Sequence, residues 1–185
     1  MPDSLLAADA ALQAWFVSWP RALPVDALML CASGIGWRGA IWLVLAVIAA
    51  WRWRGQAVMA AWRVALAIAL ATLATDAILK PLFDRDRPFV VAPETRVIGP
   101  RSAGQSFPSG HAADAVAGAC AVSLLWPKRR RLWWALAALI CLSRLYLGVH
   151  YPTDVAGGAL VGWGCAYLAT AGVGWNARET RPQPA

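Results

Sequence analysis

The chain has 185 residues, 59% of them hydrophobic and only 15% charged, and its mean hydropathy is +0.51. That apolar share exceeds what soluble domains carry, and the length suits one compact domain or a bundle of about five to six spans of ~20 residues. The formal net charge of +7 does not indicate nucleic acid, because the basic residues fall at segment ends and not along one face.

The first twelve residues place no basic region ahead of an apolar run, so no cleavable signal peptide is expected. Residues 4–19 mix Ala and Leu with Asp9 and Gln13 and finish in Trp15-Phe-Val-Ser-Trp19. This pattern is too polar to span and predicts an amphipathic helix lying at the membrane interface. Pro20 and Pro24 end it, and 26–36 reads as a short or re-entrant helix. Residues 1–36 thus form an N-terminal segment, and 37–175 a transmembrane domain with spans over 37–51, 57–80, 110–126, 132–146 and 155–175. The polar residues 176–185 form a disordered cytoplasmic tail. The predicted fold is all-α, a polytopic helical bundle.

Cys31, Cys120, Cys141 and Cys165 have no metal or redox spacing and read as buried small hydrophobes. Tryptophans at 37, 51, 53, 126, 133, 134 and 175 fall at segment ends, where an interfacial aromatic belt belongs. The turns at 51–56 and 127–131 and the tail hold Arg52, Arg54, Lys128, Arg129, Arg130, Arg131, Arg178 and Arg181. The positive-inside rule makes that side cytoplasmic. Lys80, the 81–109 connection and His150 then share the opposite, extracytoplasmic side.

Three polar clusters meet there: Lys80 with Arg87-Pro88; Pro108-Ser109-Gly110-His111, opening a helix; and Ser143-Arg144 through His150 to Asp154. Singly, Lys80 and Arg87 could be snorkelling anchors and Ser109 an N-cap. Together, Lys80, Arg87 and Arg144 gather three cations beside the N–H groups of Gly110 and His111. Arginine forks and a helix N-terminus suit a tetrahedral oxyanion. Two histidines can divide attack on phosphorus from protonation of the departing oxygen. Pro152 starts a helix whose first turn holds Asp154, from which a carboxylate can orient an imidazole. No acidic cluster offers a metal site, so neither metal nor cofactor is expected. Asp76, one turn before Lys80, can pair with it, and Asp114 sits in the first turn of its helix, where an acid favours the dipole.

At these residues the sequence resembles the type 2 phosphatidic acid phosphatase family, whose fold is shared with vanadium haloperoxidases. Its three-part signature reads here as Lys80-Pro-Leu-Phe-Asp-Arg-Asp-Arg87-Pro88, Pro108-Ser109-Gly110-His111, and Ser143-Arg144 to His150 and Asp154. The resemblance implies His150 as a nucleophile that forms a phosphohistidine, Asp154 as its hydrogen-bonding partner, and His111 as the acid for the leaving group. It also implies Lys80, Arg87, Ser109, Gly110 and Arg144 as phosphate ligands. The implied partner is a membrane lipid phosphate within the bilayer of a bacterial inner membrane, with undecaprenyl pyrophosphate the favoured substrate. Phosphatidylglycerophosphate, phosphatidic acid and phosphoryl transfer to a second lipid stay open, as does, more distantly, an anion transporter.

Overall fold

The computed structural model describes residues 3–53 and 55–171. Arg54, Trp175, Arg178, Arg181, the end of the predicted 155–175 span and the 176–185 tail lie outside the described residues. The fold is all-helical among them, as the hydrophobic pattern predicts. In chain order come α1 (Asp3–Ser18), α2 (Leu23–Ile35), α3 (Ala40–Trp53) and α4 (Gln56–Thr72). Then follow α5 (Lys80–Phe83), α6 (Pro88–Val91), α7 (Gly110–Leu125), α8 (Arg130–Tyr146) and α9 (Pro152–Thr170).

The bundle is built around α7. Its Ala112, Ala113, Ala115, Ala117, Ala119 and Ala121 are all buried, and α4, α8 and α9 pack round it. Small side chains let the neighbouring backbones come close, as they do between helices in lipid. A Cβ on Gly162 would lie 2.1 Å from the Ala113 carbonyl oxygen, and one on Gly158 2.3 Å from that of Ser109. The Gly158-x-x-x-Gly162 spacing thus sets how closely α9 crosses α7. On the other side Trp42, fully buried, fills the space that Gly118 leaves open.

The outer faces are apolar. Leu160, Trp163, Tyr167 and Leu168 of α9 are exposed, as are Val47 and Trp51 of α3 and Trp62 of α4. By length and composition, Ala57–Val91 can cross a membrane alone; Leu23–Ile35 and Trp37–Trp53 pass together as a pair bent by 54°. This helix inventory does not give the predicted five to six spans: α7, α8 and α9 are 16, 17 and 19 residues long. At 1.5 Å per residue they reach ~24–29 Å, and polar residues occupy their ends. The bend after α2 falls where a short or re-entrant helix was predicted. Arg38 there takes a left-handed conformation (φ 51°).

Two expectations change in detail. The polar face of α1 turns inward, with Asp9 and Gln13 buried and Trp15 outside. Of the cysteines only Cys165 is buried; Cys31 is exposed, and Cys120 and Cys141 are half-buried. Cys120 and Cys141 still pack against the core round α7, whereas Cys31 lies outside it.

Candidate active site

Gly148, with φ +78°, turns the chain out of α8, its Cα pressed toward the Arg96 carbonyl where no side chain would fit. The turn drops His150 into the interior, and Pro152 starts α9 directly behind it. Asp154 reaches back across this first turn, as predicted: its Oδ2 accepts from the Tyr151 N–H at 2.9 Å and stands 3.3 Å from His150 Nδ1. On the opposite edge of the ring, Arg87 Nη1 lies 3.4 Å from Nε2. A carboxylate on one side and a guanidinium donor on the other admit one neutral tautomer, protonated at Nδ1 with the lone pair on Nε2. Burial pushes the imidazole down to about 4, with the Arg87 and Arg144 charges acting in the same sense and the Asp154 hydrogen bond opposing. At neutral pH His150 therefore holds an available nucleophilic nitrogen.

The predicted cations gather round it in different states of engagement. Arg87 is buried, and its Nε and Nη groups donate to the carbonyls of Gly104, Val149, Ala103 and Gln105 at 2.9–3.3 Å. With the Nη1 contact to His150, all five of its N–H donors are taken. Arg144 is also buried but less committed: it donates to Ser33 Oγ and, at 3.5 Å, to Ser102 Oγ, while its Nε has no partner. Lys80 Nζ pairs with Asp76 Oδ1 at 2.6 Å, the i,i+4 pair foreseen, and Asp76 also holds Arg38 at 2.8 Å.

The N-terminus of α7 faces these cations. A Cβ on Gly110 would stand 3.9 Å from Lys80 Nζ. Ser109 sits at the N-cap position without making the cap bond; its hydroxyl is fully buried and unpartnered. An unmade hydrogen bond there costs about 1–3 kcal/mol, which an oxyanion among these cations would recover. His111 and Arg144 line one cavity of about 710 Å³, whose walls include Ser33, Arg38, Arg101 and Ser102 on the polar side and Leu30 and Trp37 on the apolar side. The three predicted clusters thus converge at one end of the bundle. Asp114, by contrast, is turned into the core and accepts from Thr72 Oγ1 at 3.0 Å.

Several residues of this site escaped the sequence reading. Leu73–Leu79 form a π-helical turn, a widening that recurs at functional sites, and it carries Asp76 just ahead of Lys80. Ser106 donates to Asp154 Oδ2 at 2.5 Å, and Arg85 Nη1 to Asp154 Oδ1 at 2.8 Å. Arg85 in turn meets Asp9 of α1 at 2.6 Å. A second basic residue inside the Lys80–Arg87 stretch was the available signal for Arg85; Asp9 had none. Among the described residues, no three His, Cys, Asp or Glu side chains gather as a metal site would require.

A family model described as the PAP2 superfamily matches residues 60–178. The undecaprenyl-diphosphatase of Sulfolobus acidocaldarius is 39% identical over 88 residues, covering 45% of this chain and 41% of that protein. Phosphatidylglycerophosphatase B of Escherichia coli is 41% identical over 75 residues, covering 38% and 30%. The matched stretch is thus under half of either relative's length. The crystal structure of Aquifex aeolicus LpxE superposes with a TM-score of 0.72 at 26% identity, covering 86% of this chain and 92% of that one.

Proposed function

This chain belongs to the PAP2 superfamily, and from that premise we propose that it hydrolyses the phosphate or diphosphate ester of a membrane lipid through a phosphohistidine. The observation that carries the reading is the His150 ring, held between Asp154 and Arg87 with its lone pair on Nε2. Nε2 attacks phosphorus and the bond from phosphorus to the leaving oxygen breaks. His111 gives its proton to that oxygen. Water then attacks the phosphohistidine, returning its proton to His111; the P–N bond breaks, and inorganic phosphate leaves with His150 restored. Ser109, the α7 amides, Lys80, Arg87 and Arg144 meet the charge that develops on the equatorial oxygens. These cations balance it without a metal ion.

The lipid reading is supported by the apolar outer faces and by the cavity, which cations and the apolar Leu30, Trp37 and Ile98 line together. The bundle then lies in a bacterial inner membrane. Arg130 and Arg131 open α8 and His150 follows its far end, so the basic turn and the site are separated by ~25 Å of helix. With the basic turn cytoplasmic, the site faces the extracytoplasmic side. Arg101 and the Asp76-paired Arg38 line the same cavity as Arg144, which favours a diphosphate such as undecaprenyl pyrophosphate over a monoester.

The test is phosphate release by the detergent-purified protein in EDTA, from undecaprenyl pyrophosphate, phosphatidylglycerophosphate and phosphatidic acid, for the wild type and His150→Ala. Release that is greatest from the diphosphate and abolished by the substitution is expected. Equal release by His150→Ala would overturn the mechanism, and preference for either monoester would overturn the substrate.

A further inference from the structure

Asp9 is the least expected buried charge in the molecule. It lies in α1, remote in sequence from the three clusters, yet it is only 2% exposed. Its Oδ1 accepts the backbone N–H of Thr153 at 2.9 Å, and its Oδ2 accepts the Thr153 hydroxyl and Arg85 Nη2, the latter at 2.6 Å. Arg85 Nη1 bonds Thr153 Oγ1 at 2.7 Å and Asp154 Oδ1 at 2.8 Å, and the guanidinium carbon sits over the Tyr151 ring, 4.0 Å from its centroid. One arginine is thus shared between two carboxylates, and only Asp154 also touches His150.

The electrostatics give this arrangement a consequence. Attack through Nε2 turns the neutral imidazole into a phosphorylated imidazolium, whose positive charge must be met through Nδ1–H by Asp154. A lone Arg85 on the far oxygen of Asp154 would neutralise that carboxylate and leave the ring without net counter-charge. With Asp9 on the other side of the guanidinium, the group of three keeps one negative charge, and it faces His150. We propose that Asp9 and Arg85 are positioning residues for phosphoryl transfer: Asp9 offsets the charge of Arg85, so that Arg85 fixes Asp154 without drawing its charge away from His150. The inference rests on His150 being the nucleophile. It also makes α1 part of the catalytic unit.

The remaining charged and titratable groups facing His150 are Arg87 from the loop after α5, Arg144 from α8 and His111 from α7. None is altered by the variants that test the proposal. Asp9→Asn keeps the shape and removes the charge. In the full-length protein acting on undecaprenyl pyrophosphate, kcat should fall tenfold or more with KM within about twofold. The acid limb of the kcat profile should move to lower pH, because the imidazolium has lost counter-charge. Arg85→Gln should move that limb to higher pH, since both carboxylates then act on the ring. The double variant restores a single negative charge and should recover most of the kcat lost in Asp9→Asn.

A merely structural α1–α9 tie predicts otherwise: a lower thermal midpoint, no opposed movement of the limbs, and a double variant worse than either single one. That pattern overturns the proposal. If Asp9→Asn does not fold, the upward limb of Arg85→Gln carries the test alone, and an unmoved limb refutes it. His150→Ala is run alongside: activity there refutes the nucleophile reading, whereas its loss with wild-type behaviour in the Asp9 and Arg85 variants refutes only the positioning.

Discussion

Asp154→Asn is the substitution that most directly interrogates the site, because the carboxylate is wholly buried and both of its oxygens are engaged. Oδ2 meets His150 Nδ1, the Tyr151 N–H and the Ser106 hydroxyl; Oδ1 meets Arg85. An asparagine must point its NH₂ at one of these two sets. Turned toward Arg85, it sets donor against donor. Turned toward His150, it opposes the Tyr151 N–H and forces the imidazole to accept at Nδ1, which moves the ring proton onto Nε2 and removes the attacking lone pair. The wrong-tautomer penalty in a Ser-His-Asp triad is about ten-thousandfold in kcat, and a loss of at least a thousandfold is expected here. Stability should drop by about 1–3 kcal/mol for one buried donor left unpaired, tempered because Arg85 retains Asp9. The assay is steady-state phosphate release, together with acid-quench trapping of the phosphohistidine and a thermal unfolding scan of the same preparation. A folded Asp154→Asn whose kcat lies within threefold of wild type would refute the tautomer argument.

The pH dependence follows from the buried His150, whose folded-state value near 4 lies below its ordinary 6.5. Activity should be lost as pH falls through about 4, and an acid limb centred near 6.5 would contradict the burial argument. The same shift means that the unfolded chain binds this proton first. Stability should therefore decline as pH drops from 6.5 toward 4, by at most about 3 kcal/mol, and be read in denaturant midpoints across that window. Ser109→Ala removes a buried hydroxyl that bonds nothing in the protein, so its thermal midpoint should hold or rise while inhibition by orthophosphate weakens about tenfold; unchanged inhibition would remove Ser109 from the oxyanion pocket. Gly162→Ala drives a Cβ to 2.1 Å from the Ala113 carbonyl and should destabilise by about 1–3 kcal/mol, whereas an unaltered midpoint would mean that α9 can slide away from α7 freely.

The parts of this site that were legible in the sequence sit in dense, chemically unusual runs. Lys80 to Arg87, Pro108 to His111 and Arg144 to Asp154 place polar groups where apolar flanks make them conspicuous. Asp9 was not legible, because one acid in an Ala/Leu helix reads as water-facing until the partner across the fold is known. Arg85 stood within the Lys80–Arg87 run with no role of its own, since its contacts span 69 and 76 residues of sequence. The π turn at Leu73–Leu79 leaves no periodic trace at seven residues. The longer helices of the bundle were readable from apolar runs, whereas the short α5 and α6 lie in what reads as the connection after Lys80; span count was not readable, because chain length within lipid depends on packing and tilt as well as on composition. The Gly158–Gly162 spacing was on view as a close-approach signal that a general apolar reading absorbs.

Membership of a motif and a role in binding are separable in this fold, and Arg87 shows why. A guanidinium can fork a phosphate only with donors it has to spare. Those of Arg87 are spent on the carbonyls of Ala103, Gly104, Gln105 and Val149 and on His150 Nε2. The carbonyl contacts hold the 103–105 segment against the turn that carries His150, so Arg87 fixes the loop and the nucleophile relative to each other. Of its contacts, the one at Nε2 is the longest, at 3.4 Å, and is the one that a phosphorus atom arriving on that nitrogen must displace. In the proposed transfer the Nη1 proton released by this displacement would be free to meet an oxygen of the transferring group. Arg144 can engage a phosphate earlier, through its unpartnered Nε. On the proposed phosphohistidine mechanism the two arginines would divide the work: Arg144 would take the ground-state anion, and Arg87 would make its bond only as the P–N bond forms, an interaction specific to the transition state that raises kcat without tightening substrate binding.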